Sequence, residues 1–476
     1  MSHSHPAACA SRSALGAILL LATVSSATAD FTLRGTIMTP GDVIADGTIA
    51  VTGATIGAVG AAAGSSSVPS PVAVQGIILP GFIDLHNHLT WNVLPRWIPA
   101  RKFANRYEWQ DVPEYDRNLV APHNATLDAA ACETAFYAEV KALAGGATSS
   151  IGSLYPSTKS PDNRKCAAGL VRNLDLWSGL PFTQPDPSTD LCQKDKTKPQ
   201  SLADVVDNEI FPMEVAHDRL DFLRCELAAG VLRALVVHLS EGAPGDASAR
   251  REFNMIRGAG LLMPGLAIVH GTALRADDFA RMNGAGLVWS PRSNDELYGA
   301  TTNISAALAQ KVPIAIAPDW SPSGSAGMLQ EMGYAARRYT YFSPETLVTM
   351  GTSVPAKLAR LEAHIGSLAP GLQADLLVIR AKPGATPAQT VVGASPADIR
   401  LVVVGGAPVY GDRDLLQQLL PAGTKLDTLK VCGAEKAINL AGTYAASSGQ
   451  SFAEIEKKLD DALAKLGFSL PAIECG

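Results

Sequence analysis

The stretch Ile78-Leu79-Pro80-Gly81-Phe82-Ile83-Asp84-Leu85-His86-Asn87-His88 constrains this 476-residue chain more than any other. An apolar run passes a Pro-Gly pair, resumes as Phe-Ile, and ends in two histidines two residues apart. Along a strand, residues i and i+2 share a face. Asp84, His86 and His88 are therefore expected to point the same way, with His86 and His88 able to chelate one cation. Neutral imidazole suits zinc or another first-row divalent metal. An isolated His-x-His is weak by itself. Its place at the end of an apolar strand, and its partners later in the chain, give it weight.

The length exceeds one small core and suits a large barrel with an appended domain. With 47% hydrophobic and 18% charged residues, a disordered or coiled-coil chain is excluded. A formal charge of -6 shows no basic surplus that would point to nucleic acid or an anionic membrane. At the N-terminus, Arg12 precedes the apolar run Ala14 to Val24, and Ala27-Thr28-Ala29 has the small-x-small form of a cleavage site. That run is too short to span a bilayer, and no later stretch is long enough. Residues 1–29 are thus expected to be a signal peptide, leaving a mature chain from Asp30 that is secreted or periplasmic with no membrane anchor. A retained helical anchor is the alternative. Cys9 leaves with this segment, and Cys132, Cys166, Cys192, Cys225, Cys432 and Cys475 remain. An even number permits disulfides in an oxidising compartment, with buried free thiols as the alternative.

From residue 30 to about 76, short β-rich pieces alternate with turns, and the same texture returns at 366–412. Two sheet-like ends around a long middle predict one small composite β-sandwich domain built from both. The middle, 77–365, alternates apolar strands with helical stretches, as a β/α barrel does. Candidate strands are 77–85, 147–154, 170–177, 234–239, 266–270, 285–289 and 314–318, with the fourth barrel strand unplaced in 180–215. Helices are expected at 127–143, 202–229, 246–258, 303–311 and 327–338. The tail, 413–476, is expected to be a helical extension ending in an amphipathic helix near Phe452–Leu466.

His238 follows the run Ala234 to Val237, His270 closes Leu266 to Val269, and Asp319 follows Pro313 to Pro318. Each sits at the C-terminal end of an expected strand, the face where barrel enzymes place their chemistry. Seven histidines lie beyond residue 29, and four of them occupy such positions. That coincidence, more than any single residue, argues for a site. His123, His217 and His364 are expected to be surface residues.

Leu79–His88, His238–Glu241, His270, Ser293-Asn294, Asp319 and Ile365–Asp375 together resemble the metal-dependent amidohydrolase superfamily, near the branch of cytosine deaminase and triazine hydrolases. The resemblance covers roughly residues 31–410. It implies an α/β fold, a distorted (β/α)8 TIM barrel with a small composite β-sandwich. It also implies that His86, His88, His238 and Asp319 hold one divalent metal, zinc or iron, and that Glu241, His270 and Asp319 are catalytic. No lysine sits at a convincing fourth-strand end to bridge two metals, which favours one metal. One departure stands out. Members often carry His-Cys-Pro before the Ser-Asn, whereas this chain has Trp289-Ser290-Pro291-Arg292-Ser293-Asn294, so substrate does not transfer from those relatives.

A metal with an open position lowers the pKa of water to about 7. In the resemblance, Asp319 accepts the water proton, Glu241 carries it to the leaving group, and His270 donates a hydrogen bond where charge develops. All six tryptophans map to the expected mouth, as pocket wall or as a packed lid over 89–120. Mouth aromatics favour a flat, aromatic or heterocyclic small molecule. Trp91, Asn92, Trp289, Arg292, Ser293 and Trp320 are candidates to contact it. The expected reaction is hydrolysis of a non-peptide C–N bond. Ester, lactone or dipeptide hydrolysis at the same site, or a noncatalytic binding barrel, are the alternatives. In the tail, Phe452, Ile455, Leu459, Leu463 and Leu466 form one apolar stripe, and the segment frays unless tied down. Cys432–Cys475 is therefore the expected disulfide.

Overall fold

The structure, a computed structural model, describes residues 30–61, 70–152, 166, 170–177, 180–195, 197, 200, 202, 204–473 and 475. The expected signal peptide, 1–29, and the end of the candidate strand 147–154 lie outside the described residues. Four strands open the chain: β1 (Phe31–Thr39), β2 (Asp42–Thr52), β3 (Thr55–Ala61) and β4 (Val72–Pro80). Eight short ones follow: β5 (Phe82–Asp84), β6 (Ala147–Ser150), β7 (Arg172–Asn173), β8 (Val206–Glu209), β9 (Ala234–Leu239), β10 (Leu266–His270), β11 (Gly286–Trp289) and β12 (Ile314–Ile316). Five more return: β13 (Leu376–Arg380), β14 (Ile399–Val404), β15 (Ala407–Gly411), β16 (Leu426–Val431) and β17 (Ala434–Asn439).

Both ends of the chain meet in one nine-stranded sheet, ordered β16-β17-β15-β14-β13-β4-β1-β2-β3. The seam between them is β4 against β13, with Leu79 opposite Leu377 and Ile77 opposite Ile379. The tail is not purely helical, as the sequence reading had it. β16 and β17 pair across Cys432-Gly433, both at positive φ (53° and 76°), and add a hairpin to this sheet. Two consecutive left-handed residues suit the twist of a two-residue hairpin turn.

The expected strand 77–85 is two strands. Its first part belongs to the nine-stranded sheet as β4, and only Phe82–Asp84 joins the parallel layer. Pro80-Gly81 is the switch. A side chain at Gly81 would lie 2.1 Å from Thr148, so only glycine lets the chain cross there.

The middle strands form two parallel sheets, β5-β6-β7 and β12-β11-β10-β9-β8. The fourth strand is β8, at the start of what the sequence reading took as a helix; the helix itself begins at His217. Two backbone links join the sheets: Val206 N–H donates to the Leu174 carbonyl at 3.3 Å, and Asn87 bridges Asp319 in parallel register. One apolar cluster takes a residue from each strand or the position just past it, including Ile83, Ile151, Leu174, Val206, Val236, Val269, Val288 and Ala317. This core lies beneath the strand ends that carry the site.

Among the described residues no helix is long and apolar enough to cross a membrane. The terminal helix Phe452–Ala464 opens with a Ser451/Glu454 capping box. It buries Phe452, Ile455, Leu459 and Leu463, each worth roughly 1.5–3 kcal/mol. Leu466, expected on the same stripe, lies beyond the helix end and is exposed. Phe452 stacks on Tyr137, and Lys458 pairs with the buried Glu133 at 2.6 Å. The six cysteines among the described residues are paired, as Cys132–Cys166, Cys192–Cys225 and Cys432–Cys475. Peptide mapping of unreduced protein is expected to recover these three pairs, and free thiols at 432 and 475 would contradict the last. A closed loop of 43 residues limits the unfolded chain by about 4 kcal/mol on chain-entropy grounds. Reduction should therefore loosen the tail before it touches the site.

Candidate metal centre and cleft

The strand β5 stops at Asp84, and His86 to His88 lie just past it. Asp84 does not share their target, contrary to the simple alternation. Its carboxyl accepts the His86 N–H at 3.1 Å and the Asn87 side-chain amide at 2.6 Å. Burial pushes that carboxyl up to about 7, with both hydrogen bonds opposing. It serves as a brace under the histidine pair. Gly152, at φ 78°, closes the other side, where a Cβ would meet the Asn87 carbonyl at 2.0 Å.

His86, His88, His238 and Asp319 converge above this brace. His238 Nε2 lies 3.1 Å from His86 Nε2 and 3.2 Å from His88 Nε2. Asp319 Oδ1 lies 3.1 Å and 3.5 Å from the same two ring nitrogens. Neighbouring donors about 2.0–2.2 Å from one divalent ion would lie roughly 2.8–3.6 Å apart, a range that spans these separations. Three ring nitrogens facing one another at such distances cannot all carry hydrogen. Lone pairs aimed at a shared cation resolve the clash, so the residues fit a divalent metal.

The ring chemistry agrees. Burial pushes the His88 imidazole down to about 4, pushes His238 well below its ordinary value, and lowers His86. All three are neutral and ready to ligate at pH 7. Burial opposes ionisation of Asp319, yet the surrounding imidazoles, His86 first, hold its carboxyl below the usual range. His86 Nδ1 bonds Ser290 Oγ at 2.7 Å, which leaves Nε2 for the cation. His238 Nδ1 has no such partner among the described residues.

His270 and Glu241 flank the cluster. His270 Nδ1 donates to Asn294 Oδ1 at 2.8 Å, and its Nε2 lies 3.7 Å from Glu241 Oε1. His270 also groups with His86 and His238 closely enough to reach a shared ion. Ser240, His270 and Asp319 all hold φ between 54° and 70°, the left-handed region that costs a non-glycine residue roughly 1–3 kcal/mol. Backbone ties hold at least two of them: Asp319 N–H to the His86 carbonyl at 3.0 Å, and Ala273 N–H to Ser240 at 2.9 Å. Three of the strand ends around the site thus carry backbone strain.

A cleft opens over His88, His238, Glu241, His270 and Asp319. Its walls include Trp91, Trp109, Tyr115, Phe211 and Trp320. Of the six residues expected to touch substrate, Trp91 and Trp320 line this cleft and the other four do not. Asn92 is a strut between Asn87 and the Ser321 backbone. Trp289 donates to Thr301 Oγ1 and packs on Tyr339 and Phe342. Arg292 lies over Tyr334 and lines a smaller separate cavity. Ser293 donates to Asp319 Oδ2, steering Oδ1 toward the histidines.

Of the six tryptophans, Trp91, Trp109 and Trp320 line the cleft; Trp97 is buried behind Trp109. Lid and wall are one surface here. His123, expected at the surface, is buried and stacks on Trp91 at 3.9 Å, backing that wall. Sequence reasoning also missed Arg106, buried in the cleft and ion-paired to Glu252 at 2.9 Å. β8 and the two residues after it contain no lysine, so no carboxylated lysine can form there.

The chain matches a 5-methylthioadenosine/S-adenosylhomocysteine deaminase of Teredinibacter turnerae at 31% identity over 172 residues, 33% of this chain and 39% of that protein. A namesake from Symbiobacterium thermophilum matches at 28% over 213 residues, 39% and 48% of the two chains. The chain thus spans less than half the length of these relatives. Among solved structures, an adenosine deaminase of Xanthomonas campestris with bound zinc superposes with TM-score 0.58 at 17% identity, covering 83% of this chain and 94% of that one. A mutant atrazine chlorohydrolase of Arthrobacter aurescens, complexed with zinc and atraton, gives TM-score 0.61 at 17%, covering 80% and 95%. Guanine deaminase of E. coli gives 0.60 at 17%, covering 80% and 99%. At such identities the likeness shows a shared fold. The sequence pattern of the Amidohydrolase family runs through residues 77–409, from the strand before the histidine pair to the returning sheet, and this chain belongs to that family.

Proposed function

We propose that this protein is an exported, metal-dependent hydrolase that cleaves a non-peptide C–N bond of a small molecule, on a distorted (β/α)8 barrel made of the two parallel sheets. The observation that carries the reading is the set of three imidazole nitrogens and one carboxylate oxygen at 3.1–3.5 Å, with Glu241 and His270 beside it. When bound, one divalent metal, zinc before iron, supplies the Lewis acidity that makes water nucleophilic near neutral pH. The remaining work belongs to side chains. Asp319 accepts a proton through its carboxylate, Glu241 delivers one to the departing nitrogen, and His270, when protonated on both ring nitrogens with its Nδ1–H on Asn294, donates from Nε2 to the atom that gains charge. The aromatic walls exclude water and favour a flat substrate.

Zinc in two of the similar structures, and the deaminase names among relatives and neighbours, support this class of chemistry. Export is supported by the targeting pattern of residues 1–29 together with three disulfides that use every later cysteine. Turnover on a panel of amides, cyclic amidines and esters, with the metal removed and restored, tests the reading. Metal-dependent release of ammonia or amine is expected, and turnover confined to esters would overturn the choice of bond.

The depressed histidines also set a pH expectation. A ring nitrogen with a lowered pKa stays neutral at every pH above that value, so protons compete with metal only below it. Metal retention in dialysed protein is expected to be flat from pH 8 to about 5.5 and to fall as the pH nears about 4. Loss beginning near 6.5, the value of an ordinary imidazole, would contradict this.

A further inference from the structure

We propose that Tyr298 is a positioning residue for Glu241, held in place by Trp109, and that it fixes which carboxyl oxygen is free to carry a proton. The inference rests on the reading of Glu241 as the proton carrier. It starts from the short helix Pro291–Tyr298 and its N-cap Ser290. Ser290 holds His86 at 2.7 Å, Ser293 holds Asp319, Asn294 holds His270 at 2.8 Å, and Tyr298 holds Glu241 at 2.6 Å. Residues 290, 294 and 298 recur at steps of four, so they form one stripe facing the site. One rigid element thus orients four of the polar groups around the cleft.

The last of these bonds has a fixed direction. Trp109 Nε1 lies 2.8 Å from the Tyr298 hydroxyl, and an indole N–H can only donate. The hydroxyl therefore accepts from Trp109 and gives its own hydrogen to Glu241 Oε1. With Oε1 occupied as an acceptor, a proton carried by Glu241 resides on Oε2. All three side chains are buried, where such a chain is stronger than in water. Burial, then the neighbouring Glu241, raise the Tyr298 phenol far above its ordinary value, which keeps it a donor. Trp109 comes from the segment after β5 and lines the cleft, so the same bond ties the cleft wall to the proton carrier.

The test uses zinc-loaded protein with indole-¹⁵N tryptophan, whose six side chains give six indole N–H signals, that of Trp109 assigned by its absence in Trp109→Phe. The Trp109 signal should move in Tyr298→Phe, and also in Glu241→Gln with Tyr298 intact, while the other five stay. On any substrate the panel yields, Tyr298→Phe should lower kcat about 10–100-fold with KM nearly unchanged and zinc retained. A Trp109 signal unmoved in Glu241→Gln would overturn the proposal, whether or not Tyr298→Phe folds. An unchanged kcat in Tyr298→Phe would overturn it too. If nothing on the panel turns over, the hydrolase reading fails, and the resonance shifts still decide the network.

Discussion

Glu241→Gln is expected to remove most turnover, about 10²–10⁴-fold, while metal content stays near that of the native chain. Glutamine matches glutamate in shape and accepts a weaker, uncharged hydrogen bond from Tyr298, so the helix Pro291–Tyr298 should keep its place while the Trp109 resonance moves. What it loses is the ability to take and return a proton. Glu241 Oε1 lies 3.7 Å from His270 Nε2, next to the proposed reacting centre. The metal-holding set consists of other residues, which is why content and turnover should separate. Full activity in this variant would remove Glu241 from the mechanism.

His238→Ala should behave differently, losing metal and turnover together. Its Nε2 is the point shared by the 3.1 Å and 3.2 Å contacts to His86 and His88. Without it, only two imidazoles and one carboxylate of the four groups that would hold the ion remain. The ring is buried, so truncation also leaves a void and some loss of stability. Elemental analysis beside a melting curve separates the two effects. A folded His238→Ala protein with full metal content would mean that another residue holds the ion.

Much of the site was legible in the sequence because each polar residue ends an apolar run. His238, His270 and Asp319 follow Val237, Val269 and Pro318 directly, and the runs mark the strands beneath them. β8 was not legible, because Val206-Asp207-Asn208-Glu209 offers one apolar residue and no run to detect. The strand 77–85 misled in another way. Its apolar character is continuous, but Pro80-Gly81 moves the chain from one sheet to the other. His123 looked like a surface residue because nothing local reports the Trp91 ring stacked against it. The orienting helix was the largest omission. Ser290, Asn294 and Tyr298 are ordinary residues whose value lies in partners as far as 204 positions away in sequence. Those partners emerge only once the fold has brought them together. The tail hairpin does carry a local signal, the Cys432-Gly433 pair between two β-like runs.

One cation held by His86, His88, His238 and Asp319 is the centre of the proposed chemistry, and metal stoichiometry in the purified native chain tests it most directly. Elemental analysis is expected to find about one equivalent of a first-row divalent metal, zinc before iron, retained through dialysis at neutral pH. Two tightly held equivalents, a carboxylated lysine in the cleft, or no retained metal in an active protein would contradict it.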